Sequence, residues 1–73
     1  MNIKQLLDKY GSQQRVAELL GITQATVSHL LNKHHKMTET VILKISQLEN
    51  LSFEEVYNSQ REWEGKNEIK WLG

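Results

Sequence analysis

At 73 residues the chain has room for one domain and no second core, and a chain of this size buries only about 60% of its unfolded surface, so its stability margin is thin. Cysteine is missing altogether, which excludes a disulfide framework and a thiolate metal site and fits a reducing compartment. Nine basic and nine acidic side chains cancel. No apolar run approaches the ~18 residues of a membrane span and no basic-then-apolar leader opens the chain, so neither a membrane nor export is expected and the cytoplasm is the expected location.

In chain order, Asn2 and Gln5 form a capping pair in front of a helix over Ile3 to Tyr10, in which Ile3, Leu6, Leu7 and Tyr10 repeat at helical spacing. Gly11 stops it. Ser12 caps a second helix, about Gln13 to Leu20, with Val16, Leu19 and Leu20 apolar. Gly21 ends that helix at no steric cost in a left-handed conformation, Ile22 drops into the angle, and Thr23 caps a third helix over about Gln24 to Asn32. Ala17 is small enough to let the third helix cross closely, with Val27 and Leu30 pointing back at it. This is a helix-turn-helix. Lys33-His34-His35-Lys36 lacks periodicity and reads as a loop. Thr38 then caps a fourth helix carrying Val41, Ile42, Ile45 and Leu48 on one face and ended by Asn50. Ser52 with Glu55 is a capping box that opens a fifth helix, in which Phe53, Val56 and Tyr57 are expected to cover the core. That helix extends as far as Trp63 to Gly65, and residues 67–72 fit a strand or a helical turn equally well.

Five helices with short connections and no proline make an all-α bundle, with residues 1–60 as a helix-turn-helix domain and 61–73 as a C-terminal extension. Charge is divided unevenly. Residues 1–36 carry five cationic side chains against two carboxylates, and residues 37–73 carry four against seven. The basic half coincides with the helix-turn-helix, an arrangement that would aim one face at an acidic partner.

The run Tyr10-Gly11-Ser12-Gln13, then Ala17, Leu20-Gly21-Ile22-Thr23-Gln24, Val27-Ser28 and Asn32 resembles the Cro and repressor class of lambdoid phages and its bacterial relatives, small YdaS-type regulators among them. The likeness runs from about Ile3 to Tyr57. It departs from the pattern at Lys33, where relatives often have glycine, which puts the path of the following loop in question. The resemblance implies a repressor-like bundle that binds double-stranded DNA, with Gln24 at a base-contacting position. A glutamine amide can pair bidentately with adenine, Ala25 offers a methyl to thymine, and His29 lies one turn further along the same face. Ser28 is either a fourth base-reading residue or close-packing filler. Gln13 resembles the family's phosphate-contacting glutamine. Thr23, Thr26, Asn32, Lys33 and Lys36 surround the third helix as candidate backbone contacts, with capping alone the other reading for Thr23 and a solvated loop for the lysines.

One recognition helix reads about 3–5 base pairs, so a homodimer on a palindromic operator is expected. Its interface is placed at Tyr57, Trp63, Ile69, Trp71 and Leu72, since two tryptophans either fold back on their own subunit or anchor a partner, and the small core favours the partner. The rival reading is an antitoxin-like or regulatory module that binds another protein through this C-terminal extension. No glycine-rich phosphate loop or Ser-His-acid grouping supports an enzyme, and no cofactor is implied. His29, His34 and His35 are read as solvated or facing DNA rather than as metal ligands, because adjacent loop histidines point in different directions and zinc normally requires four placed ligands.

Overall fold

The computed structural model describes residues 1–65. It is all-α: α1 (Ile3–Tyr10), α2 (Gln13–Leu20), α3 (Gln24–Leu31), α4 (Glu39–Glu49) and α5 (Phe53–Gly65). The helices are short, and their ends are closed by local chemistry. Asn2 and Gln5 exchange bonds as a full capping box, Asn2 Oδ1 accepting from Gln5 N–H at 2.9 Å and Gln5 Oε1 from Asn2 N–H at 3.0 Å. Ser12, Thr23 and Thr38 each accept an N–H from the third residue of their helix. Ser52 Oγ accepts from Glu55 N–H at 3.1 Å.

Four of the five helices share one entry pattern, an apolar residue just before the cap and another five positions on. The pairs are Met1 and Leu6, Ile22 and Val27, Met37 and Ile42, Leu51 and Val56, and all eight belong to or pack on the core. This is the hydrophobic staple, which fixes the angle at which the chain enters each helix. The rest of the core is Ile3, Val16, Ala17, Leu20, Leu30, Val41 and Ile45. Phe53 is not part of it. It stands at the first position of α5, 38% exposed, with its ring stacked on Tyr57 at 5.9 Å. Leu51 and Val56 already fill the inward side of that turn, which corrects the expectation that Phe53 covers the core.

Two polar ties hold helices distant in sequence. Glu49 in the last turn of α4, its side chain 3% exposed, takes Lys9 Nζ at 2.6 Å and the Tyr10 hydroxyl at 2.5 Å, joining α4 to α1. Burial alone would push the Glu49 carboxyl up, but the hydrogen bonds from Lys9 and Tyr10 outweigh it and hold the group below its ordinary value. At the other tie, the wholly buried Gln60 of α5 accepts from Ile3 N–H through Oε1 at 2.9 Å and donates through Nε2 to Glu64 at 2.9 Å. It thereby satisfies one of the orphan amides at the start of α1. The helix α5 runs through residue 60, the expected domain boundary, without interruption.

Candidate nucleic-acid interface

The arrangement of α2 and α3 follows from the turn between them. Gly21 is left-handed (φ 67°, ψ 33°), Ile22 N–H reaches back to Ala17 O at 3.0 Å, and Gly21 N–H reaches Glu18 O at 3.3 Å. This pair of bonds is a Schellman motif, which reverses the chain while satisfying the last carbonyls of α2. The position a Cβ on Gly21 would take lies 3.4 Å from Lys44 Nζ. A lysine of α4 therefore stands at the negative end of the α2 dipole, a cation beside the turn that periodicity alone did not reveal. Thr23 caps α3, and its hydroxyl also meets that of Thr26 at 2.8 Å.

The two faces of α3 then separate. Val27 and Leu30 are 0% and 4% exposed, locked against α2. Gln24, Ala25 and His29 are exposed on the other side and Ser28 is half-buried. The base-reading set expected from the sequence thus shares one side of one helix, with Ser28 half-buried between Gln24 and Ala25 around the axis. Between Glu18 and Glu39 the chain has no carboxylate, and the same stretch carries Lys33, Lys36 and three histidines.

Of the expected backbone-contacting residues, Gln13 and Gln24 each occupy the first position of their helix. Thr23 is exposed, Thr26 half-buried and Lys36 exposed. Asn32 is exposed but folds back along α3, its Nδ2 donating to Ser28 O at 3.0 Å and lying 3.4 Å from Ser28 Oγ. Lys33 is half-buried, and its ammonium faces the Trp63 ring 4.5 Å from the centroid. It is also left-handed (φ 60°), the conformation glycine takes at this point of a helix end, at a cost of roughly 1 kcal/mol or more for a residue with a Cβ. The glycine-to-lysine departure therefore leaves a glycine-like turn. Lys33 N–H bonds Leu30 O at 3.2 Å and His34 N–H bonds His29 O at 2.9 Å, a second Schellman motif.

That turn also corrects the premise that the adjacent loop histidines point in different directions, although all three histidines are exposed. It folds the loop back over the end of α3, so both adjacent rings approach His29, at 5.7 Å for His34 and 5.1 Å for His35 between centroids. Among the described residues no group of three or more His, Cys, Asp or Glu is placed to hold a metal ion, and no helix is long and apolar enough to cross a membrane.

Of the expected interface residues, Tyr57 lies between Phe53 and the Arg61 guanidinium, 4.9 Å from the ring, and Trp63 packs on the core of its own chain. At 100° per residue the two are about 120° apart around α5. Ile69, Trp71 and Leu72 lie outside the described residues.

Capped short helices around a glycine turn, with a third helix split into buried and outward faces, define a small helix-turn-helix-like protein. Residues 3–56 match the family model described as bacterial toxin YdaS, and the chain belongs to that family, a group of small helical proteins related to Cro-type phage regulators. No curated protein and no solved structure matches it.

Proposed function

We propose that the chain is a sequence-specific double-stranded DNA-binding regulator, a Cro-like repressor acting in the cytoplasm as a homodimer on a palindromic operator, and not an enzyme. The observation that supports this best is the division of α3, whose Val27 and Leu30 are fixed in the core while Gln24, Ala25 and His29 project from a carboxylate-free stretch. A helix presented this way fits the major groove, where each base pair shows a distinct donor and acceptor pattern. Gln24 and Ala25 read bases, Ser28 and His29 extend the contact, and Gln13, Thr23, Thr26 and Lys36 hold phosphates. The dimer contact is assigned to the C-terminal extension. Selection from a random duplex library tests the reading: it should return a palindrome, with affinity falling by about 0.9 log units per phosphate contact for each log unit of salt. Equal, weak affinity for selected and random duplexes would contradict it.

The family's description as a toxin supports a second reading, in which the same scaffold acts on another protein. Leu43 and Phe53, both exposed and outside α3, are the apolar groups such a partner would meet. Overproduction in a bacterial host separates the two. Growth arrest that survives Gln24→Ala supports the protein target, and arrest abolished by it supports DNA.

A further inference from the structure

Apart from the outward face of α3, the feature that stands out is a pair of ties from the end of α5 to the loop behind α3. Lys33 holds a left-handed conformation that glycine would adopt freely. What lysine adds is a side chain, and its ammonium sits over the Trp63 ring. Four residues on, Met37 N–H donates to Glu64 Oε2 at 2.8 Å. The same oxygen accepts from buried Gln60, whose other end holds Ile3 N–H. Arg61 pairs with the second Glu64 oxygen at 2.8 Å, and the Glu64 side chain is only 9% exposed. One turn of α5 therefore grips both ends of the 33–37 loop, and through Gln60 it is itself anchored to the start of α1.

We propose that this turn is a clamp that positions the C-terminal end of α3 and the loop behind it, with Trp63 and Glu64 as positioning residues for the surface α3 presents. The clamp gives Trp63 a task within its own subunit, and it explains why a lysine can stand where the backbone asks for glycine. His34, His35 and Lys36 lie between the two gripped points, so their placement beside α3 is set from α5. By linkage, a molecule that engages the end of α5 by displacing Trp63 changes affinity at α3, and a ligand bound at α3 alters the docking of α5 to the same degree. Only the identity of that α3 ligand rests on the DNA-binding reading.

Amide hydrogen exchange of the whole chain tests the clamp without DNA, because Lys33, His34 and Met37 N–H are all hydrogen-bonded in this arrangement. Trp63→Leu should speed exchange at these three amides about two- to fivefold while leaving Leu6, Leu20 and Ile45 unchanged. Trp63→Phe, which keeps an aromatic face for the ammonium, should retain most of the protection. Because Trp63 also packs on the core, the deciding comparison is made in Lys33→Gly, where Trp63→Leu should have no further effect on the loop. Uniform acceleration through the chain, or an undiminished effect in the glycine background, overturns the clamp. With a selected duplex, Trp63→Leu should weaken binding by the same two- to fivefold. Loop amides that respond while duplex affinity does not move overturn the positioning role. A chain that binds no duplex yet shows the exchange pattern retains the clamp and loses the DNA reading.

Discussion

The turn in front of α3 and the turn behind it share a Schellman geometry and differ in what sustains them. At Gly21 the left-handed backbone has no Cβ to oppose it, and the bonds that close the turn come from residues within five positions. At Lys33 the same geometry works against a Cβ, and the loop is held from α5, by the Trp63 ring and a Glu64 carboxylate 27 residues from its Met37 partner. Both turns are closed by bonds that span no more than five positions, and the second also carries a left-handed Cβ and ties from α5. The helix between them therefore has local closure at both ends, with its exit held from α5 as well. In a chain this small, the exit is the end open to control by anything that touches α5.

Substitutions can break that contrast, and the largest effect is expected at the anchor of the distant clamp. Gln60→Ala removes a wholly buried side chain, leaves Ile3 N–H without its acceptor and takes a donor from Glu64. It should lower stability by about 3 kcal/mol in chemical denaturation, the combined effect of a cavity and unsatisfied buried groups. A loss below ~1 kcal/mol would show that the clamp is marginal. Gly21→Ala should cost about 1–2 kcal/mol by the same measurement, from backbone strain alone, since the nearby Lys44 ammonium can swing aside. A neutral result would mean that the front turn tolerates a Cβ as the rear one does.

Glu49→Gln sharpens the comparison from the other side of the molecule, where a second long-range tie joins α1 and α4. Stability should fall by about 1 kcal/mol at neutral pH. The Glu49 carboxyl is held below its ordinary 4.5, so its contribution is complete above that value and is lost as pH falls through the lower folded value. Lys9 and Tyr10 are held above their ordinary values, chiefly by hydrogen bonding to Glu49, so theirs is complete below those values and is lost on the alkaline side. The variant should therefore lose part of the pH dependence at both ends of a thermal-melting series. An unchanged acid limb would remove Glu49 from the account.

The same contrast explains how much could be read before folding. Every helix of the described residues opens on residues that act at short range, Asn2 with Gln5, Ser12, Thr23, Thr38 and Ser52, and Gly21 and Asn50 end two of them in the same way. Apolar spacing then assigned most of the core. Met37 is not among the core residues that spacing assigns, although its staple with Ile42 is a local signal, and Phe53 departs from the expected core because Leu51 and Val56 already fill the inward side of that turn. The outward residues of α3 were legible because one buried face fixes the opposite one. Gln60 and Glu64 were not, since a polar side chain turned inward leaves no periodic trace and its partners lie 57 and 27 residues away. For Lys33 the sequence shows the residue type but not its consequence, because the ring its ammonium meets belongs to another helix.

The central claim is that the exposed edge of α3 reads base sequence, and the most direct measurement is the affinity of Gln24→Ala for a selected duplex and for a scrambled one at fixed salt. The account predicts a loss of about 1–3 kcal/mol on the selected duplex and little change on the scrambled one. Equal affinity of variant and parent for the selected duplex would contradict it.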